Sequence, residues 1–111
     1  MEEVRAFFKE QGIFNEEFFE YIKKKVLVLP SDTPLVWFGC FPILDEDHNI
    51  MDIRLSVPEI VTEKNLLVNL HEYYHAYELY NEIGTLYEAN TEVREANASN
   101  FEKSYLLSRK K

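Results

Sequence analysis

The sequence predicts a small α+β domain with N-terminal helices, a β-sheet of about three strands and a C-terminal α-hairpin. Apolar residues recur at helical spacing in the first quarter of the chain and again after residue 62. Between these segments, apolar and polar residues alternate in short runs that turn-forming residues separate. A length of 111 residues predicts one domain, 1–111, and a hydrophobic fraction of 46% supplies its core.

The N-terminal segment, residues 2 to about 26, is predicted to be helical with a break at Gly12. Apolar residues repeat at helical spacing on both sides of that glycine. Asn15 is a suitable start for the second helical part, because Glu16 and Glu17 in its first turn favour the positive end of the helix.

Two strands are predicted in the middle of the chain. Residues 35–44 are rich in aromatic and branched side chains, and Pro42 indicates a sheet edge or a bulge. Residues 50–57 alternate between apolar and polar side chains. The polar segment 45–49 between them predicts a β-hairpin, and a short apolar run, residues 26–29, precedes it.

The C-terminal part of the chain predicts two helices that form an antiparallel hairpin. The first runs from about residue 62 to about residue 83, and Gly84 ends it. Thr85, followed three residues later by Glu88, matches a capping box. This signature predicts that the second helix starts there and continues to about residue 107.

The charge balance and the composition exclude several classes of function. A net charge of −8 disfavours nucleic-acid binding, which needs a basic surface. No apolar run approaches the ~18 residues of a membrane span, and the N-terminus is acidic where a signal peptide would be basic. We therefore expect a soluble cytoplasmic protein with no nucleic-acid partner and no membrane span.

Four side chains of reactive or aromatic type receive structural interpretations. Cys40 is the only cysteine, which excludes an intramolecular disulfide. A buried thiol in a strand is expected for it, and contact with a metal is the alternative. His48 lies in an acidic turn and is expected at the surface, whereas Trp37 and Phe38 are expected in the core or in a pocket.

The segment His71-Glu72-Tyr73-Tyr74-His75 is an HExxH motif within the first of the two C-terminal helices. Residues four apart on a helix lie one turn above each other, so both imidazoles can bind one ion. Imidazole and carboxylate ligands favour Zn2+, which lowers the pKa of a bound water towards ~7. We predict His71 and His75 as metal ligands, and Glu72 as the catalytic residue that takes a proton from that water and later returns it.

A site with two histidines needs a third protein ligand and an open position for water. If the two helices are antiparallel about Gly84, the level midway between the histidines reflects to about residue 95. Glu95 is followed one turn later by Ala98 and Ser99, whose small size allows the helices to approach closely. We predict Glu95 as the third ligand, and we expect the other carboxylates in solvent or bonded to a ligand histidine. The alternatives on the same helix are Glu88, Glu92 and Glu102.

The HEYYH motif, followed by a glutamate on the next helix, resembles the gluzincin clan of zinc peptidases. In that clan the third zinc ligand is a glutamate on a separate helix, and the spacing from His75 to Glu95 is similar to that of its thermolysin-like branch. The short chain and the order of its elements resemble the minigluzincins, which are soluble single-domain peptidases. Many gluzincins carry Asp or Asn four residues after the ligand. Ser99 stands there after Glu95, and only Glu88 is followed there by an acid, Glu92.

The resemblance implies a zinc endopeptidase that acts on peptides or unfolded proteins. An edge strand from the hairpin 35–57 would pair with the extended substrate. A tyrosine of the helical hairpin would hydrogen-bond to the oxyanion, and the sequence does not single one out. The resemblance and the small size also imply a homo-oligomer at high concentration that inhibits itself. The alternative is a non-enzymatic, zinc-stabilised module for self-association.

Overall fold

The computed structural model describes residues 2–60 and 62–110, and it places two short N-terminal helices, a mixed sheet and two long C-terminal helices in that order. This arrangement confirms the predicted α+β class. The elements are α1 (Glu2–Glu10), α2 (Glu16–Ile22), β1 (Val26–Leu29), β2 (Gly39–Leu44), β3 (Ile50–Pro58), α3 (Glu63–Asn81) and α4 (Thr91–Ser108).

The predicted break in the N-terminal helical segment is confirmed. Gly12 follows α1 with a φ of 73°, a left-handed conformation that glycine adopts without strain. The Asn15 side chain accepts a hydrogen bond from the Phe18 amide at 3.3 Å, which caps α2. The predicted extent of the helix, to about residue 26, is wrong. α2 ends at Ile22, and Val26 begins β1 because its backbone pairs with β3.

The sheet has the order β1-β3-β2, with β1 parallel and β2 antiparallel to the central strand β3. β2 and β3 form the predicted hairpin. β2 lies at an edge of the sheet, which explains why a proline is tolerated at Pro42. A register shift between Ile43 and Leu44 adds a local irregularity to the same strand.

The segment before β2 differs from its prediction. A strand over 35–44 is wrong for the first part, since Leu35–Trp37 forms a 3-10 turn and β2 starts at Gly39. The Trp37 amide donates to the Pro34 carbonyl at 3.0 Å, so it closes a local turn rather than pairing with a strand. Trp37 is 66% exposed, and the predicted core or pocket position for it is therefore wrong.

α3 is the central element of the fold, because it packs against β2 and β3, against α4 and against both N-terminal helices. The Thr62 hydroxyl accepts a hydrogen bond from the Asn65 amide at 3.2 Å and caps the start of α3. Leu70, directly before the HExxH motif, is 0% exposed, and Tyr73, within the motif, is 1% exposed. Close packing in this core fixes the rotation of α3 about its axis, and with it the side on which the motif histidines lie.

The connection between α3 and α4 does not form the predicted helix start at Thr85. The capping box formed with Glu88 is wrong, because α4 begins only at Thr91. The backbone of residues 84–87 instead pairs with the turn of the β-hairpin, and this tertiary pairing replaces local helix formation. The bonds run from Gly84 N–H to Ile50 O at 2.8 Å, from Ile50 N–H to Thr85 O at 2.9 Å and from Tyr87 N–H to His48 O at 2.9 Å.

The core fills the space between one face of the sheet and the helices. It includes Val4, Phe7, Phe8, Phe18, Phe19, Ile22, Ile53, Leu55, Val57, Leu66, Leu70, Tyr73 and Phe101.

Among the described residues, none of the helices combines the length and the apolar composition that crossing a membrane requires.

Candidate metal centre

Two histidines of α3 lie together on the side of the helix that faces α4. His71 and His75 are one turn apart, and their side chains are 15% and 13% exposed. Their Nε2 atoms lie 3.1 Å from each other. The structure thus brings the two imidazoles to one point, as the spacing of the motif predicts.

Glu95 of α4 completes this group. Its carboxylate oxygens lie 3.0 Å from Nε2 of His71 and 2.9 Å from Nε2 of His75. One ligand atom from each of the three residues falls within 4.8 Å of the other two. Among the described residues, neither Glu88 nor Glu92 belongs to such a group: both are exposed, one in the connection before α4 and the other in its first turn.

The residues present fit a divalent metal of the zinc type. In a tetrahedral site with zinc–nitrogen distances of about 2.0–2.1 Å, neighbouring ligand atoms lie about 3.3 Å apart. The Nε2 atoms of the two histidines are 3.1 Å apart, and each lies 2.9–3.0 Å from a different oxygen of Glu95, so these separations are close to this value. The Ala98 side chain, 0% exposed and one turn after Glu95, leaves room for the close approach of α4. Two imidazoles and one carboxylate form the donor set of a catalytic rather than a structural zinc site.

Glu102 does not lie beside the two Nε2 atoms, where a third ligand would have to be. Its carboxylate accepts a hydrogen bond from Nδ1 of His71, on the opposite side of the ring from Glu95. A proton held on Nδ1 leaves the lone pair of Nε2 free to bind a metal. Glu102 lies two helical turns after Glu95 on the same face of α4. That spacing is the sequence signal for its role, but only the packing of α4 against α3 selects it.

Glu72 lies in the wall of the cavity beside His75 and Glu95. Burial raises the pKa of its carboxyl group to about 7; His71 opposes this shift, whereas the charges of Glu95 and Glu102 add to it. A divalent ion bound to the three ligands would lower the pKa again. The position of Glu72 in the cavity wall, beside His75 and Glu95, allows it to exchange a proton with a molecule bound there.

Burial also acts on His75. It lowers the pKa of the imidazole, and the neighbouring His71 adds to the effect, while Glu95 opposes it. A neutral imidazole is the form that binds a metal, because its nitrogen then offers a free lone pair.

A cavity of about 280 Å³ lies between the edge strand β2 and the two C-terminal helices. Phe38, together with Gly39 and Cys40 of β2, forms one side of it, so that of the two positions predicted for Phe38, core or pocket, the structure shows the pocket. Burial raises the pKa of the Cys40 thiol, which favours its neutral form. Among the described residues, Cys40 does not belong to the group of converging ligand atoms. His48 is exposed, as predicted.

Tyr87 is the tyrosine that lines this cavity in the described part of the chain. Tyr73 is buried in the core. The other tyrosines of the C-terminal segment pack against the core from its margin, and the sequence does not distinguish them from Tyr87. The pairing of residues 84–87 with the β-hairpin turn brings Tyr87 to the cavity wall, which no local pattern indicates. The tyrosines at the margin of the core are Tyr74, Tyr77, Tyr80 and Tyr105.

The chain was compared with models of protein families, with curated proteins and with solved structures, and none of them matches it.

Proposed function

We propose that this protein is a zinc-dependent endopeptidase, in which Glu72 acts as general base and then as general acid. One observation carries the proposal: Nε2 of His71, Nε2 of His75 and the carboxylate of Glu95 converge within 4.8 Å at a cavity that Glu72 also lines. A structural zinc site has four protein ligands and no use for a half-buried carboxylate at an open position. The convergence of three ligands beside a proton acceptor therefore favours hydrolysis.

The three ligands would hold zinc, which supplies a Lewis acid for the scissile carbonyl and a water of lowered pKa. Glu72 would accept the proton of the attacking water and transfer it to the nitrogen of the leaving amine. Glu102 would keep the proton of His71 on Nδ1, so that Nε2 faces the metal. Tyr87, in the cavity wall, is our candidate for the hydrogen-bond donor to the oxyanion.

The substrate would be a peptide or an unfolded protein bound in an extended form. In the described part of the chain, β2 pairs with β3 on one side and with no strand on the other. Gly39, Cys40 and Pro42 of this strand line the cavity beside the ligands. A peptide added along the free edge of β2 would thus pass the metal centre, with main-chain hydrogen bonds that do not depend on its sequence.

A second candidate function is a zinc-stabilised module for self-association, and exposed apolar side chains favour it. Val36 is 85% exposed, and Leu35, Trp37 and Phe41 are each more than half exposed next to the cavity wall. The two functions are compatible if copies of the chain cover the cleft of one another at high concentration. Specific activity would then fall as the protein concentration rises, and a specific activity that stays constant over a wide dilution series would exclude self-inhibition.

We propose a cytoplasmic location, since a single cysteine cannot form the intramolecular disulfides that an oxidising compartment favours.

Cleavage of casein by dilute, zinc-loaded protein tests the proposed reaction. We expect the wild type to cleave casein and Glu72→Gln to lose nearly all activity, because the amide cannot accept the proton of water. Both proteins should contain the same amount of zinc, since Glu72 is not a ligand. A Glu72→Gln protein that cleaves at the wild-type rate would contradict the role of Glu72. A zinc-loaded wild type that cleaves nothing would favour the self-association module.

A further inference from the structure

We infer that Arg94 is a positioning residue of the metal centre, which fixes the connector between α3 and α4 and thereby places Glu95 beside the two histidines. The connector comprises residues 82–90. The inference rests on the proposed function, because it gives Arg94 a role in the geometry of the zinc ligands.

Arg94 joins the end of α3 to the first turns of α4. Its guanidinium forms a two-bond ion pair with Glu82, with Nη1–Oε2 at 3.0 Å and Nη2–Oε1 at 2.8 Å. Glu82 is the residue that follows the last turn of α3, and Arg94 directly precedes Glu95. The Arg94 side chain is only 13% exposed, so this pair is better shielded from water than an ordinary surface pair.

The same guanidinium also binds the backbone of the connector. Its Nε donates to the Ala89 carbonyl at 3.0 Å, and its Nη2 donates to the Glu88 carbonyl at 2.9 Å. The start of α4 has little other support from its cap. Asn90 has a left-handed φ of 39°, and its side chain makes no capping hydrogen bond. The β-hairpin turn holds residues 84–87 of the connector, and Arg94 holds its last part, next to the start of α4.

Arg94 contacts the cavity wall as well as the connector. Its Cζ lies 5.5 Å from the centre of the Tyr87 ring, and Arg94, Tyr87 and Glu95 all line the cavity. The Arg94 side chain thus contacts the connector, the Tyr87 ring of the cavity wall and the turn of α4 that carries Glu95. A loss of this contact would let Glu95 drift, and small displacements of a ligand weaken a metal site strongly.

The charge of Arg94 by itself would weaken zinc binding, whereas the positioning of Glu95 would strengthen it, and this difference in sign can be tested. A positive charge in the wall of the cavity repels a bound divalent cation. If Arg94 acted only through its charge, its removal would raise the affinity for zinc. If it acts by positioning Glu95, its removal lowers that affinity. The sign of the change separates the two roles.

The experiment measures zinc affinity by competition with a chromophoric chelator, and the melting temperature of the metal-free protein, for Arg94→Met and Arg94→Lys. Methionine keeps part of the apolar stem, and lysine keeps the charge but cannot form the two-bond fork. Asn97→Ala is the matched control, because it removes another α3–α4 hydrogen bond, from Asn97 Nδ2 to Glu78 Oε2 at 3.1 Å, and leaves the bonds of Arg94 to Glu82 and to the connector in place. Glu82→Gln removes the charge and one of the two acceptor oxygens of the same fork from the α3 side, should Arg94→Met fail to fold.

We expect Arg94→Met to bind zinc roughly 10-fold more weakly than the wild type, or worse, as for other groups that orient metal ligands. Arg94→Lys and Glu82→Gln should also be weaker, and Asn97→Ala should stay within about twofold even if its melting temperature falls. Unchanged or stronger binding by Arg94→Met, or equal weakening by Asn97→Ala, would overturn the inference. A wild type that binds no zinc would overturn the metal centre itself, and with it the role of Arg94.

Discussion

α3 and α4 contribute to the candidate metal centre in different ways. The two histidines of α3 are fixed by helical spacing and by a buried helix, with side chains 13–15% exposed. Glu95 comes from α4, and its side chain is 55% exposed. The position of Glu95 depends on a nine-residue connector, 82–90, and on the side chains that hold it. Local helix geometry thus builds one half of the site, and tertiary contacts build the other.

The largest expected loss of zinc affinity comes from removing a histidine of α3, and comparison with the loss of Glu95 from α4 separates the contributions of the two helices. His75→Ala should weaken zinc binding roughly a thousandfold, because it removes one of two rigidly held imidazoles. Glu95→Ala should weaken it less, by roughly 10- to 100-fold, since water can replace an exposed carboxylate. Chelator competition measures both affinities. Equal losses in the two variants would show that α4 is held as firmly as α3.

A smaller effect is expected at Glu102, which belongs to α4 but acts on α3. Glu102→Ala removes the acceptor for Nδ1 of His71 and should lower zinc affinity roughly tenfold. Glu102→Gln should retain part of the affinity, because its amide oxygen still accepts the Nδ1 hydrogen. Zinc affinity measured for both variants checks this order. If both bind zinc as the wild type does, the contact with His71 does not orient the ring.

The smallest effect on zinc affinity is expected at Asp52, a residue of β3 that neither belongs to the ligand group nor lines the cavity beside it. Burial disfavours its ionised form, but hydrogen bonds outweigh burial and hold the pKa of Asp52 well below its usual range. The stabilisation is therefore complete above the unfolded-state pKa of about 3.9, and it is lost as the pH falls towards the lower folded-state value. The hydrogen bonds come from Tyr21, Arg54, Lys25 and the Ile53 amide.

Asp52→Asn should lower the free energy of unfolding by about 2 kcal/mol at pH 7. The difference from the wild type should narrow as the pH falls below about 4, where the wild type begins to lose the same stabilisation. Zinc affinity at pH 7 should not change, which makes this variant a control for fold stability. Urea unfolding at several pH values gives the stabilities, and a difference that stays constant down to pH 2 would refute the assignment.

The contrast between α3 and α4 also explains what the sequence could predict. The spacing of His71 and His75 needs only the helical repeat, and a single buried helix preserves that repeat. Reflection of the histidine level about Gly84 predicts Glu95, and the structure places Glu95 beside the histidines although the connector is not helical. The two helices pack side by side in opposite directions, and this packing alone brings residue 95 to the level of the histidines.

The remaining features depend on contacts between distant segments. Thr85 has a local helix-start signature, but its carbonyl pairs with Ile50 of the β-hairpin. Tyr87 reaches the cavity wall through the connector that this pairing shapes, and Arg94 bonds to the Glu88 carbonyl of the same connector. Residues 35–37 have strand-forming side chains, but a local turn after Pro34 takes their hydrogen bonds. In each case a tertiary contact or a turn outweighs local propensity.

X-ray absorption at the zinc edge of the zinc-loaded wild type tests the metal centre most directly. We expect one zinc per chain with two imidazole nitrogens and a carboxylate oxygen at about 2.0–2.2 Å, and a further light ligand from solvent. Glu95→Ala should keep both imidazoles and lose the carboxylate. A spectrum with a sulfur ligand from Cys40, or with fewer than two imidazoles, would contradict the site formed by His71, His75 and Glu95.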